Sequence, residues 1–393
     1  MKVDKIKKSF HLEHLQIYVL HAPTELPVET SFGVMHERPA VWLKVEDNEG
    51  AFGWGEVWCN FPSCGAEHRA SLLRQVIGPL ILGVRYEDPA ELLTYLEEKT
   101  HILAIQSGEP GPIAQVIGGV DIAVCDMLAR RSGLPLYGFL GGAGREFVPT
   151  YASGISPGKA LYMVEQGRRQ GFRAFKLKVG FEEKSDLNTI KTITRTLSPD
   201  EQYMLDANQA WDLESAKSMA GKIEPYAPAW LEEPLAADRP RGEWLELAEN
   251  TSIPLAAGEN LNSRQGFQAI IEEGVIQVVQ PDVCKWGGVS GCLSAAKEAL
   301  AKGRRYCPHF LGGCIGLAAS AHLLAAVGGD GLLEVDVNPN PLREGDIITE
   351  EFIKSGRYIF NGKAGLGFEP DVRNAPGTIK IEKAALTVRD LKK

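Results

Sequence analysis

From residue 148 onward the chain repeats one unit, a short β-prone apolar run followed by an amphipathic stretch of helical period. Eight such runs fall at 148–154, 174–180, 203–208, 230–234, 253–260, 275–282, 305–310 and 332–336. Helical patterning occupies 159–170, 213–223, 264–273, 290–302 and 317–327. A spacing of roughly 26 residues is that of a βα unit rather than of a solenoid repeat. Parallel strands cannot be joined by tight turns, so each crossover has room for a helix. Eight units suit a (β/α)8-type barrel, with functional groups at the C-terminal ends of the strands. An open doubly wound sheet is the competing arrangement.

The run FKLKVG at 175–180 sets the polarity of the repeat. Side chains two apart share a strand face, so Lys176 and Lys178 point one way and Phe175, Leu177 and Val179 the other. Two neighbouring ammonium groups repel, which is expected to lower the pKa of at least one and make it a base. An isolated KxK is ordinarily a solvated strand edge, so a chemical role for this one depends on the strands after it.

Those strands also end in polar groups. Asp206 and Asn208 share a face, Glu232 precedes Glu233 on the expected opposite face, and Glu259 comes after the small residues Ala257 and Gly258. Three carboxylates on successive strand ends repel one another in a partly dry site and call for a cation. An all-oxygen set, without Cys or His, favours Mg²⁺ over Zn²⁺ or copper. Further on, Asp282 and His309 lie on neighbouring strands, where a carboxylate can orient an imidazole and raise its pKa. Glu334 ends the last strand. Lys285 reads as a loop cation and His322, inside an apolar helix, as structural.

Outside the repeat, 15–19, 41–45 and 52–56 read as three antiparallel strands, the last two joined by a turn at 47–50. Segments 20–40 and 57–69, which hold Pro23, Pro27, Pro39, Pro62 and Gly65, read as long, uneven connections, hence as binding lids. They carry Glu25, Glu29, His36, Glu37, Arg38, Trp58, Asn60 and Phe61, a mixture better suited to a polyol than to an aryl substrate. Residues 70–140 are helical, and 340–393 lose the βα rhythm and are expected to return to the N-terminal part.

A chain of 393 residues has room for two or three domains, and its net charge of −9 argues against nucleic acid as a partner. The apolar stretches 72–84 and 116–128 are interrupted by Arg74, Gln75 and Pro79 and by Asp121 and Asp126, which argues against a membrane span. Glu13, His14 and Gln16 stand where a signal peptide needs an apolar block. Seven scattered cysteines without a CxxC pair point to reduced thiols and a cytoplasmic location.

KxK at Lys176/Lys178, DAN at Asp206, EEP at Glu232, GEN at Glu259, PDxxKxGG from Pro281 and PHF at His309 come in order. This ordered set resembles the enolase superfamily, specifically its mandelate racemase subgroup, over essentially the whole chain. The muconate-lactonizing subgroup would place a lysine at Asp282, and the mannonate-dehydratase-like branch lacks the KxK pair.

The resemblance implies an α/β fold: a (β/α)7β-type TIM barrel with an α+β N-terminal capping domain completed by the C-terminal segment. The expected boundaries are 1–140 for the capping domain with its lids, 141–339 for the barrel and 340–393 for the returning segment. It implies Mg²⁺ on Asp206, Glu232 and Glu259, with Asn208 and Glu233 nearby. It also implies a small carboxylate substrate whose α-proton is removed to give an ene-diolate stabilised by the metal, Lys176 and Glu334. Lys178 is the expected base on one face, and His309, paired with Asp282, acts on the other. Dehydration of an acid sugar to a 2-keto-3-deoxy acid is the favoured outcome. Racemisation of a 2-hydroxy acid, lactone cycloisomerisation and non-catalytic carboxylate binding are the alternatives. A homo-oligomer is expected.

Overall fold

A computed structural model of the chain describes residues 8–30, 33–344, 347, 351–375 and 379–392. The N-terminal part opens with β1 (Phe10–Thr30), β2 (Gly33–Asp47) and β3 (Phe52–Val57). Helices α1 (Gly65–Leu72) and α2 (Gly78–Ile81) come next, then β4 (Arg85–Tyr86), α3 (Pro89–Ser107), α4 (Pro110–Arg131) and α5 (Leu136–Phe139). The barrel strands are β5 (Phe147–Ile155), β6 (Ala174–Lys178), β7 (Gln202–Asp206), β8 (Leu231–Glu232), β9 (Leu255–Ala257), β10 (Val278–Val279), β11 (Arg305–Tyr306) and β12 (Leu333–Asp336). Seven helices alternate with them: α6 (Ala160–Arg169), α7 (Glu183–Thr194), α8 (Leu213–Ile223), α9 (Arg241–Glu249), α10 (Arg264–Glu273), α11 (Gly288–Ala301) and α12 (Cys314–Val327). Short β13 (Ile353–Lys354), β14 (Arg357–Ile359) and the longer β15 (Lys380–Thr387) close the chain.

The barrel strands lie in the order β12-β5-β6-β7-β8-β9-β10-β11, each ladder parallel. Pairing of β12 with β5 removes the open-sheet alternative. At the remaining seam the Leu332 N–H donates to Cys307 Sγ at 3.4 Å. The architecture is the (β/α)7β barrel that the resemblance implies, one helix short of the eight full units read from the repeat. Tyr151, Ala174, Met204, Trp230, Ala256, Val278, Cys307 and Leu332, one from each strand or from the residue next to its end, form an apolar plug inside it. Phe175, Leu177 and Val179 face the surrounding helices. Side-chain caps from Glu182, Asp212 and Ser263 start α7, α8 and α10 at defined points.

The capping sheet is antiparallel in the order β15-β1-β2-β3, so the C-terminal segment completes it. Segment 20–40 is not the expected irregular loop. Within it β1 and β2 continue as a two-stranded ribbon whose tip, 31–32, lies outside the described residues, as do the side chains of Glu25 and Glu29. The prolines that suggested a loop lie where each strand has lost its second neighbour. Pairing of β1 with β15 ends at His21, before Pro23 and Pro27, and pairing of β2 with β3 starts at Val41, after Pro39. A missing N–H costs little on such an edge.

Helix α4 joins the two parts. It is apolar and long enough to cross a membrane, yet most of it is buried. Its acids are acceptors within the fold: Asp121 takes the Ser290 N–H at 2.8 Å, and Asp126 takes those of Trp54 at 2.9 Å and Leu366 at 2.7 Å. Close contact with β3 requires glycine, since a Cβ on Gly55 would lie 2.0 Å from Gly119 O.

His322 on α12 is a core residue. Its Nδ1 accepts the Tyr137 N–H at 3.2 Å, which leaves Nε2 to donate to Leu366 O at 3.3 Å. Burial depresses its pKa to about 3. The unfolded chain therefore takes up a proton below a pH of about 6.5 that the native state refuses. Stability contributed by neutral His322 is complete above that pH and is lost as pH falls toward 3, at up to about 1.4 kcal/mol per pH unit. His322→Gln is expected to flatten this part of the acid limb in melting temperatures measured from pH 7 to 4.

Candidate active site

The apolar plug fixes where the polar groups stand. Two residues beyond it on successive strands come Ser153, Lys176, Asp206, Glu232, Gly258, Gln280, His309 and Glu334. Period-two alternation sends these side chains into the same interior, one layer nearer the C-terminal mouth. Ser153, Lys176, Asp206, Glu232 and Glu334 of that layer stand on strands, and Gln280 and His309 just beyond the ends of β10 and β11.

Lys176 is wholly buried, with Nζ 2.6 Å from Glu232 Oε1, 2.7 Å from Glu334 Oε1 and 3.8 Å from Asp206 Oδ2. Lys178, nearer the mouth, reaches Asp206 Oδ2 at 2.6 Å and Asn208 Oδ1 at 2.7 Å. The mutual lowering expected of two lysines does not decide their pKa values here. Burial works to lower Lys176, but Glu232, Glu334, Tyr151 and Asp206 together leave it well above its ordinary value. Burial and Lys176 likewise act to lower Lys178, and Asp206 and Glu259 outweigh them. Acids, not the second lysine, dominate the field.

Glu232 Oε2 also accepts from Gln280 Nε2 at 2.7 Å and Trp230 Nε1 at 3.2 Å. Glu259 stands 2.5 Å from His309 Nε2 and 3.3 Å from Lys285 Nζ. Glu233 does not sit on the outer face. The strand stops at Glu232, and a left-handed backbone at Glu233 (φ 40°) turns its buried carboxylate back to accept from Asn260 Nδ2 at 2.9 Å. His309 Nδ1 lies 2.7 Å from Asp282 Oδ2, whose other oxygen accepts the Cys284 N–H at 2.7 Å. Glu334 accepts from Ser153 Oγ and, at 3.0 Å, from the Phe310 N–H.

Six carboxylates (Asp206, Glu232, Glu233, Glu259, Asp282, Glu334) share this mouth with Lys176, Lys178, Lys285 and His309 as its cations among the described residues. With all six acids ionised, two negative charges are left over. Burial, followed by residual repulsion among the acids, pushes Glu232 up to about 7 even against Lys176. Burial and Glu259 push Glu233 well up. Burial opposes the His309–Glu259 pair, but the pair prevails, raising His309 to about 10 and holding Glu259 well below the carboxylate range. Burial also opposes ionised Glu334, which Lys176 and His309 nevertheless bring down to about 2.

Among the described residues no three carboxylate, imidazole or thiolate side chains are already gathered into a metal cage. Lys176, Lys178 and His309 stand among Asp206, Glu232 and Glu259 instead. The all-oxygen donor set and its surplus negative charge fit a hard divalent cation.

Several residues with a part here were not singled out by their sequence. Gln280 and Ser153 lie on the plug-plus-two positions, a signal that alternation could have given. Lys285, read as a loop cation, touches Glu259 and stands 4.8 Å over the Trp58 ring. Arg38, read as part of a lid, is buried with Nη2 2.6 Å from Asp336 Oδ2, and Arg343 lies 3.5 Å from the same oxygen. That pair ties the ribbon to the end of β12.

The N-terminal model of the mandelate racemase/muconate lactonizing enzyme family matches residues 14–141, and an enolase C-terminal domain-like model matches 161–375. The chain belongs to this family. Its members include dehydratases and a cycloisomerase, and the chain is an enzyme. A family member from Bordetella bronchiseptica RB50 has a solved structure 46% identical, with a TM-score of 0.88 over 94% of this chain and 99% of that one. The L-talarate dehydratase of Polaromonas sp. JS666, solved with Mg and L-glucarate, is 25% identical with a TM-score of 0.81, covering 97% of this chain and 100% of that one. Among curated relatives, the D-galactarolactone cycloisomerase of Agrobacterium fabrum is 27% identical over 372 residues, 90% of this chain and 95% of the relative. The D-galactonate dehydratase of Klebsiella pneumoniae is 30% identical over 295 residues, 72% and 74% of the two chains.

Breaking one side of a buried ion pair strands a charge. Arg38→Met is expected to destabilise this family member by about 3 kcal/mol. Adding Asp336→Leu should recover little of the loss, because Arg343 and Asn338 then lose the same carboxylate, as read by denaturant titration of both variants.

Proposed function

We propose that this protein is a Mg²⁺-dependent lyase that removes the proton α to the carboxylate of a sugar acid and expels the β-hydroxyl, giving a 2-keto-3-deoxy acid. The observation that carries the reading is the placement of Lys178 and His309. They rise from β6 and β11, which are separated by β12 and β5 on one side and by β7 to β10 on the other, so they face one mouth from two sides. A carbon held between them has a proton acceptor on one face and a proton donor on the other.

Each residue then has a task. Lys178, as the free amine, takes the α-proton. Lys176, 2.7 Å from Glu334 at the floor, meets the substrate carboxylate and the negative charge that grows on it, and Glu334 adds a hydrogen bond only in its protonated form, which a second carboxylate beside it favours. His309, oriented through Nδ1 by Asp282, delivers a proton from Nε2 to the departing hydroxyl. Asp206, Glu232 and Glu259 would hold Mg²⁺, which when bound supplies positive charge to the carboxylate oxygens. Asn208 and Glu233 keep those acids in place. The dehydratase relatives support elimination. Return of the proton by His309 to the same carbon would give the epimer instead, and the cycloisomerase relative supports a separate reading in which the substrate is a sugar-acid lactone.

The division of the chain near residues 140 and 339 belongs to the same proposal, since α5 ends at Phe139 and β12 at Asp336. A cytoplasmic location is in keeping with seven free thiols, six of them buried. A homo-oligomer is supported by Ile102, Leu103 and Ile105, which are 63%, 42% and 61% exposed on α3.

With metal-free protein and MgCl₂ in D₂O, a panel of D-galactonate, galactarate, L-talarate, L-glucarate and D-arabinonate is expected to give keto acid from at least one member. EDTA should abolish that turnover. Lys178→Met and His309→Asn should each lower it by about 10³-fold, with His309→Asn still exchanging the α-proton for deuterium where Lys178 faces it. Exchange without keto acid would establish the racemase reading, and no exchange with any acid would leave only carboxylate binding.

A further inference from the structure

His309 is carried into α12 by Phe310, Leu311, Gly312 and Gly313, and each of these is held from a different part of the chain. The Phe310 N–H donates to Glu334 Oε2 at 3.0 Å. Asn60 Nδ2 donates to Leu311 O at 2.9 Å, and Asn340 Nδ2 to Gly312 O at 2.8 Å. The Gly313 N–H donates to Glu56 Oε1 at 2.5 Å, and the Gly316 N–H to Glu56 Oε2 at 2.9 Å. Glu56 and Asn60 belong to the capping part, at the end of β3 and just beyond it, and are only 3% and 7% exposed.

The first N–H groups of a helix have no partner inside it and attract negative charge. Helices α8 and α10 answer this with their own Asp212 and Ser263. Helix α12 cannot, because Gly313 at its start has no side chain. A side chain there would also have to displace the cap, since a Cβ on Gly312 or Gly313 would lie 2.9 Å from Glu56 Oε1. The cap comes from a strand more than two hundred residues earlier, and the acid that supplies it fills the space a local cap would need.

We propose that Glu56, assisted by Asn60, is a positioning residue for His309: the capping part sets the imidazole by holding the loop that leads from it into α12. The reading of His309 as a proton donor rests on the function proposed above, whereas its placement by Glu56 does not. With the two groups removed, residues 310–313 keep only their ties to Glu334 and Asn340, and the ring loses its fixed line to Asp282.

The test uses full-length protein labelled with ¹³C,¹⁵N-histidine, without substrate. The His309 ring signal is identified by its loss in His309→Asn. In Asn60→Ala, the milder change, and in Glu56→Gln, which presents an amide donor to one of two N–H donors, that signal is expected to shift or split. In Arg131→Ala, which breaks the 2.9 Å pair with Asp47 elsewhere in the capping part, it should stay in place. With any acid that turns over, Asn60→Ala should lower kcat by about 10-fold or more, leave KM nearly unchanged and preserve deuterium exchange on the Lys178 side. An unmoved His309 signal in both variants, or an equal shift in Arg131→Ala, overturns the proposal even if every candidate substrate fails. Loss of all turnover with the signal shifted as described would count against the proposed reaction alone.

Discussion

More acid than base is buried in the mouth of this barrel, and the remaining features of the site answer that imbalance. Two oppositely charged groups at 4 Å attract by about 4 kcal/mol at the effective dielectric of a partly buried site, and like charges repel by as much. Lys176 is therefore drawn between Glu232 and Glu334, Lys178 onto Asp206, and His309 and Lys285 onto Glu259. Burial, added to the charge that the protein's own cations leave uncovered, raises Glu232 and Glu233 toward the neutral form. A divalent cation would let those acids ionise. It would also draw charge from Asp206 and Glu259, releasing Lys178 and His309 to act on a substrate.

Such a concentration of charge survives because the scaffold beneath it is apolar and closed. The plug contributed by all eight strands keeps water out from below, and α4 seals the side facing the capping sheet. Buried ion pairs seldom add stability, since desolvation consumes most of their attraction. The apolar plug and the helix shell supply the stability, and the polar layer uses part of it.

Much of this was legible in the residues because alternation is a strict rule within a strand. Lys176 and Lys178 sharing a face, and Asp206, Glu232, His309 and Glu334 ending successive runs, both reflect a period of two. The rule fails where a strand ends. Glu233 was expected outside and is inside, because one left-handed residue reverses it. Prolines at 23, 27 and 39 suggested a loop, and only pairing across distant segments shows that they lie on free edges. Arg38 with Asp336, and Glu56 with Gly313, join residues hundreds of positions apart, so no local pattern announces them. The lowered pKa expected of the lysine pair was an argument from two charges where ten ionisable groups decide.

Isothermal titration of metal-free protein with MgCl₂, repeated in buffers of different ionisation enthalpy, addresses the charge imbalance itself. The account predicts one Mg²⁺ bound per chain, with protons released as Glu232 and Glu233 ionise, and loss of that binding in Asp206→Asn. Absence of binding, or binding that Asp206→Asn leaves intact, would contradict it.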